Sequence, residues 1–100
     1  MPAFVLLCRD RKDAADLRAR LRPAHLDYLE AHFEEVWLAG PLLSDEGSPI
    51  GSVVIIDAED ARGARNFANA DPYAKGGLFD DVEIRPYRFV KGKLLGAGPV

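Results

Sequence analysis

The stretch Asp71-Pro72-Tyr73, taken together with Arg22-Pro23-Ala24-His25-Leu26, sets the central junction of the chain. Because Pro72 disfavours right-handed helical geometry at the residue before it, the helical pattern that precedes Asp71 should end there. The proline ring also suits the first position of a new helical turn. Asp71 is then held at a junction by the backbone, where its carboxylate can orient an imidazole. We therefore treat His25 and Asp71 as a candidate pair.

The composition is that of one ordinary globular domain, with 48% apolar and 29% charged residues in a chain of 100. The net charge of −3 argues against nucleic acid or an anionic membrane as a partner. We find no signal-peptide pattern and no apolar run long enough to span a bilayer, so we expect no membrane association. The single cysteine, Cys8, can form no internal disulfide, and we expect a cytoplasmic protein.

Hydrophobic periodicity predicts the first half of the fold. A continuous apolar run over residues 3–8 predicts a strand that is buried on both faces. Helical spacing extends over residues 13–36, and one face of that pattern comprises Leu17, Leu21, His25, Tyr28, Leu29, His32 and Val36. Because Pro23 lacks a backbone donor and clashes one turn back, we expect one helix through Leu21 and another that begins near Pro23. His25 then falls in the first turn of the second helix.

The second half alternates between strand and helix signals. A second strand at 36–39 runs into Gly40-Pro41, where the proline marks a sheet edge, a bulge or the strand end. The remaining predicted segments are a hairpin loop at 44–49, a strand at 50–58, a helix at 57–70, a strand at 82–90 that contains a proline, and a loosely held glycine-rich tail at 91–100.

The predicted order is strand, helix, strand, strand, helix, strand. That order predicts an α+β fold of the ferredoxin-like kind, with two helices on one face of a four-stranded antiparallel sheet. We expect a single domain over residues 1–100, with its core at about 3–90. Since the other face of the sheet would expose apolar side chains, we expect a homodimer that packs sheet against sheet.

Four motifs stand in an order that resembles the YciI-like (YCII-related) family: Arg22-Pro23-Ala24-His25-Leu26, Leu38-Ala39-Gly40-Pro41, Gly51-Ser52, and Asp71-Pro72-Tyr73 followed by Gly77. The resemblance extends from the first strand to about residue 90. It implies a dimeric α+β barrel of ferredoxin-like subunits, related in fold to small isomerases such as muconolactone isomerase. It also implies a pocket with a histidine and an aspartate, which correspond to His25 and Asp71.

His25 and Asp71 are the candidate catalytic residues. A neutral imidazole is the usual general base near neutral pH, and a carboxylate on its other nitrogen fixes its tautomer and orientation. His25 could instead be a core histidine bonded to a backbone carbonyl, and Asp71 could be only a helix N-cap. Both roles of Asp71 are compatible, because one oxygen can cap the helix while the other contacts His25.

The candidate substrate-binding residues are Arg22, Gly40, Pro41, Ser52 and Tyr73. Arg22 can bind an anionic group or be a solvated surface arginine. Gly40, Pro41 and Ser52 can bring the backbone close to a ligand or serve turn geometry, and Tyr73 is expected to close a pocket wall.

Two remaining residues carry weaker signals. His32 lacks further ligands at a recognisable spacing, so we expect either a packing role or a position at the solvent edge, and no metal site. Cys8, in a buried strand, has no feature of a nucleophile.

Three functional hypotheses follow from these residues. The first is a small cofactor-free enzyme that isomerises, or eliminates a group from, a small anionic or phenolic molecule. The second is a ligand-binding or regulatory module with the same pocket. The third is a structural dimer in which the histidine–aspartate pair braces the core.

Overall fold

A computed structural model describes residues 1–93 of the protein. Its elements, in chain order, are β1 (Ala3–Asp10), α1 (Ala15–Ala31), a short 3-10 helix (Phe33–Glu35), β2 (Val36–Leu43), β3 (Pro49–Asp57), α2 (Ala61–Ala70), α3 (Pro72–Lys75) and β4 (Phe79–Tyr87). None of the helices in this part of the chain is both long and apolar enough to cross a bilayer.

The four strands form one antiparallel sheet in the order β2-β3-β1-β4. This is the ferredoxin-like α+β arrangement, so the fold prediction is confirmed. Strands β2 and β4 are the edges, and each contains a proline, Pro41 and Pro86. An edge strand tolerates proline because one side of its backbone needs no partner in the sheet.

The core lies between the sheet and the helices. Alternate residues of β1, namely Phe4, Leu6 and Cys8, pack in one cluster with side chains from β3 and α2. Because successive side chains of a strand point to opposite faces, Val5 and Leu7 lie on the other face of the sheet. That second face is outside the core cluster.

The predicted break at Pro23 is wrong, because α1 runs continuously through it. Pro23 and Ala19 are both exposed, so the carbonyl that loses its helical partner lies where water can reach it. His25 consequently sits just past the middle of one long helix, and not in the first turn of a second one. The helix ends at Ala31, five residues before the predicted end.

Other boundaries also move. Helix α2 begins at Ala61 and not at residue 57, because Asp57 ends β3 and the side chain of Asp60 caps the helix by accepting from the Gly63 amide at 2.8 Å. Strand β2 continues through Pro41 to Leu43, and β4 lies three residues earlier than predicted. Of the predicted loose tail, residues 94–100 lie outside the described residues.

Candidate active site

The imidazole of His25 lies against the carboxylate of Asp71. The Nδ1 atom of His25 is 2.9 Å from each carboxylate oxygen of Asp71. Both side chains are buried, with relative exposures of 7% and 5% for the two residues. Since an ionised carboxylate only accepts hydrogen bonds, Nδ1 carries the proton and donates it.

Asp71 is also the N-cap of α3. Its Oδ1 atom accepts a hydrogen bond from the backbone amide of Tyr73 at 2.9 Å, and Pro72 occupies the first helical position. The two roles considered for this residue therefore coexist in one carboxylate. Capping fixes the carboxylate through the backbone, and the carboxylate fixes the imidazole.

Tyr73 packs against one face of the imidazole. Its ring stacks on His25 with centroids 3.9 Å apart and an interplanar angle of 15°. Tyr73 is 1% exposed, and burial raises the pKa of its hydroxyl although the nearby Arg18 and Arg22 charges oppose the shift. The phenol therefore keeps its proton at neutral pH.

The Nε2 atom of His25 is the open position of this arrangement. In the neutral ring, a proton on Nδ1 leaves a lone pair on Nε2. Within residues 1–93, Nε2 has no hydrogen-bond partner, although the ring itself lines a cavity. A ring held on one nitrogen and open on the other has the geometry of a general base.

The cavity lies between α1 and the β2–β3 side of the sheet and has a volume of about 450 Å³. Its lining comprises Ala15, Arg18, Ala19, Arg22, His25, Leu26, Leu29, Ala39, Gly40, Pro41, Ser48, Pro49, Ser52 and Tyr73. The wall is largely apolar, and its charged members are two arginines. No carboxylate of residues 1–93 belongs to the lining.

The structure brings the sequence-predicted site residues to one place. Arg22, Gly40, Pro41, Ser52 and Tyr73 line the cavity together with His25. Asp71 lies behind the imidazole and reaches the cavity only through it. Arg22 is exposed at the rim and forms no ion pair with any residue that the structure describes. The roles assigned to these residues stay predictions.

Arg18, which lines the cavity, and its partner Asp10 were not predicted from the sequence. The Arg18 Nε atom is 2.7 Å from Asp10 Oδ2, and Nη2 is 3.0 Å from Oδ1, which makes a bidentate pair. The two side chains are 9% and 6% exposed. Burial alone would lower the pKa of Arg18, but the hydrogen bonds and charge of Asp10 raise it overall, so the guanidinium stays charged.

Two signals could have revealed this pair. Arg18 precedes His25 by seven residues, two helical turns, and so shares its face of α1. Asp10 continues the alternation of Phe4, Leu6 and Cys8 on the inward face of β1. A carboxylate and a guanidinium that both point inward require each other, because an unpaired buried charge is strongly destabilising.

His32 and Cys8 lie outside the cavity lining. His32 packs against Tyr28 and Phe67, with ring centroids at 4.5 and 5.5 Å. The described part of the chain holds no cluster of three or more histidine, cysteine, aspartate or glutamate residues arranged to bind a metal ion. Burial raises the pKa of the Cys8 thiol to about 12, so Cys8 is protonated and unreactive at neutral pH.

Comparison with known proteins now identifies the family. The YCII-related domain family matches residues 3–88 of the chain. The protein belongs to that family. Among curated proteins, Protein YciI of Escherichia coli O6:H1 is 34% identical over 95 residues, an alignment that covers 87% of this chain and 97% of the relative. The predicted family resemblance is therefore confirmed.

Solved structures share this fold. The 5-chloro-2-hydroxyhydroquinone dehydrochlorinase TftG of Burkholderia phenoliruptrix AC1100, in complex with 2,5-dihydroxybenzoquinone, is 30% identical with a TM-score of 0.78. The match covers 91% of this chain and 96% of that one. A protein of Agrobacterium tumefaciens shares the fold at 15% identity, with a TM-score of 0.51, over 88% of this chain and 92% of its own.

Proposed function

We propose that this protein is a cofactor-free enzyme of the lyase or isomerase type that acts on small oxygenated ring compounds. The observation that carries the proposal is the buried His25–Asp71 contact at 2.9 Å, with His25 Nε2 unpartnered in the wall of the cavity. His25 is the general acid/base, and Asp71 fixes its tautomer and orientation. The dehydrochlorinase activity of the similar TftG protein supports a lyase reaction in such a pocket.

The cavity supports proton transfer on a ligand of one ring. Its volume of about 450 Å³ falls at the small end of the range for ligand pockets. Its apolar lining keeps water away from the reacting atoms, which strengthens the electrostatic interactions inside. Arg22 at the rim offers a planar guanidinium to an anionic group of the substrate.

The chemistry balances without a cofactor. In an elimination, Nε2 of His25 takes a proton from the substrate, and the electron pair of the broken bond forms the new double bond. The leaving group departs with the electrons of its own bond. For 5-chloro-2-hydroxyhydroquinone, one hydroxyl proton first moves to the carbon that carries chlorine, which makes that carbon tetrahedral. Loss of a second hydroxyl proton to Nε2 then expels chloride, and the products are hydroxybenzoquinone and HCl, so no external oxidant is required. An isomerisation would use the same histidine, which returns its proton at a different atom.

His25→Asn tests this proposal. Asparagine retains a donor for Asp71 but lacks Nε2, so the fold should persist while turnover is lost. His32→Asn is the control, because His32 lies one residue past the end of α1 and outside the cavity lining. With 5-chloro-2-hydroxyhydroquinone as substrate and chloride release as the readout, we expect His25→Asn to reduce the rate by about 10²–10⁴-fold. His32→Asn should retain the wild-type rate.

The assay also separates the alternatives. Equal rates in the wild type and His25→Asn would contradict a catalytic role for His25. A wild-type protein that binds 2,5-dihydroxybenzoquinone but turns over no member of a panel of hydroxylated rings would be a binding module. If neither binding nor turnover occurs and His25→Asn only lowers the melting temperature, the pair is a structural brace.

We also propose that the protein is a cytoplasmic homodimer that packs sheet against sheet. The support is the second face of the sheet, where Val5, Leu7 and Val53 are only half-buried and lie outside the core cluster. Covering such a face stabilises a pair of subunits. Light scattering measures the mass in solution, and we expect a dimer for the wild type and a monomer for Val53→Lys. A monomeric wild type would contradict the proposal, and cell fractionation tests the location.

A further inference from the structure

The cavity holds two hydroxyl groups whose lone pairs are engaged by the same guanidinium. Arg18 Nη2 donates to Ser52 Oγ at 2.9 Å, and Arg18 Nη1 donates to the Tyr73 hydroxyl at 3.4 Å. Arginine has no acceptor, so both hydroxyls must accept in these contacts. The direction of each hydrogen bond is thus determined by the chemistry of the donor.

The protons of these hydroxyls have no acceptor in the described part of the chain. Neither Ser52 Oγ nor the Tyr73 hydroxyl donates a hydrogen bond to any of residues 1–93. Both residues line the cavity and are nearly fully buried, with exposures of 3% and 1%. A hydroxyl that accepts from a charged donor becomes a better donor itself, since hydrogen bonds in a chain polarise one another.

Arg18 is held rigidly enough to set this arrangement. The Asp10 carboxylate accepts hydrogen bonds from Nε and Nη2 of Arg18. The guanidinium carbon lies 4.7 Å from the centre of the Tyr73 ring. Because Asp10 neutralises the charge of Arg18, the guanidinium is available chiefly as a fixed donor. The cavity lining itself contains no carboxylate that would compete for the two free protons.

We propose that Ser52 and Tyr73 form an oxygen-binding site for the substrate, with Arg18 as the positioning residue that orients their protons towards it. The inference rests on the proposed function and names its substrate class. The ligand carries an acceptor oxygen, such as a quinone carbonyl, phenolate or enolate oxygen, on the ring whose proton His25 transfers. The two hydroxyls stabilise negative charge as it develops on that oxygen, which is the role of an oxyanion site.

The test measures binding and does not depend on turnover. The probe is 2,5-dihydroxybenzoquinone, and its dissociation constant is measured by calorimetry in the wild type, Ser52→Ala and Tyr73→Phe. Loss of one hydroxyl bond to an anionic oxygen should weaken binding by about 10- to 100-fold. Ser52→Thr keeps a hydroxyl and should restore most of the affinity. Ser44→Ala and Tyr87→Phe, outside the cavity lining, should bind as the wild type does.

An infrared measurement distinguishes hydrogen bonding from a general structural effect. The carbonyl stretch of the bound quinone should lie lower than that of the free quinone, and Ser52→Ala and Tyr73→Phe should each reduce that shift. Arg18→Met should reduce the shift although both hydroxyls are still present. Melting curves of each variant identify any that fails to fold, and Tyr73→Phe retains the aromatic ring that stacks on His25.

The outcomes are separable from those of the proposed function. Wild-type affinity in both Ser52→Ala and Tyr73→Phe, with unchanged carbonyl frequencies, would overturn the oxygen-binding site while leaving His25 catalysis intact. Failure of the wild type to bind the quinone at millimolar concentration would overturn it as well. Conversely, full activity in His25→Asn would refute the proposed function, and the calorimetric result for Ser52 and Tyr73 would still stand.

Discussion

Asp71 performs two tasks with one carboxylate, and substitution can separate them. Asp71→Ala removes both the cap on α3 and the acceptor for His25. Loss of an N-cap costs about 1 kcal/mol of stability, and a buried Nδ1–H left without an acceptor costs about 1–3 kcal/mol. We therefore expect Asp71→Ala to lower the free energy of unfolding by about 2–4 kcal/mol.

Asp71→Asn should be milder. Asparagine is as good an N-cap as aspartate, and its side-chain oxygen can accept from the Tyr73 amide and from His25. Only the strengthening of the His25 bond by a negative charge is lost, which we estimate at about 1 kcal/mol. Urea unfolding at pH 7, followed by circular dichroism, measures both variants against the wild type.

A double-mutant cycle with His25→Ala isolates the contact between the two side chains. We expect a coupling energy of about 1–3 kcal/mol between His25→Ala and Asp71→Ala, because each partner loses its buried contact in both single variants. Additive effects would refute the view that the pair is one energetic unit. Equal losses in Asp71→Asn and Asp71→Ala would refute the assignment of the cap to this side chain.

Three further outcomes follow from buried groups elsewhere. Burial raises the pKa of Cys8 to about 12, so the thiol ionises at lower pH in the unfolded chain than in the folded one. The free energy of unfolding should therefore fall as pH rises from about 9 towards 12. The fall should be steeper in the wild type than in Cys8→Ala. Asp10→Asn should lower the free energy of unfolding by about 3–5 kcal/mol, because it leaves Arg18 unpaired. The double variant Asp10→Leu/Arg18→Met should recover much of that loss in the same urea assay. Gly51→Ala should cost about 1–3 kcal/mol, because a Cβ there would overlap the Cys8 carbonyl oxygen, whereas a Cβ on Gly40 meets nothing within 4 Å and should be tolerated. If Gly51→Ala and Gly40→Ala had the same melting temperature, the close approach of β3 to β1 would be contradicted.

Local sequence rules predicted much of the fold. The alternation of strand and helix signals gave the ferredoxin-like order. An edge position was one of the alternatives left open by the prolines of β2 and β4, which are the edge strands of the sheet. The dipeptide Asp71-Pro72 placed a helix start correctly, because the constraint that proline puts on its neighbour is local. Pro23 misled the prediction for a related reason. The proline removes one helical hydrogen bond, but the Ala19 carbonyl that loses it lies where water can reach it, so α1 continues through Pro23.

The candidate pair came from the junction at Asp71-Pro72 and from the family resemblance, whereas the contact itself required the folded chain. His25 and Asp71 are 46 residues apart, and helical phase alone cannot say which element packs opposite the imidazole. Arg18 was overlooked because charged residues on a helix are ordinarily solvated. Its guanidinium can be buried because a carboxylate on the facing strand offsets the loss of hydration.

Neighbours along the chain therefore predict the order of strands and helices and the helix start after Asp71. Only the tertiary structure decided that α1 is continuous, that Arg18 and Asp10 are paired, and that Ser52 and Tyr73 share one guanidinium. These contacts join β1, α1, β3 and α3. Their energies depend on burial and on partners distant in sequence, which no local pattern encodes.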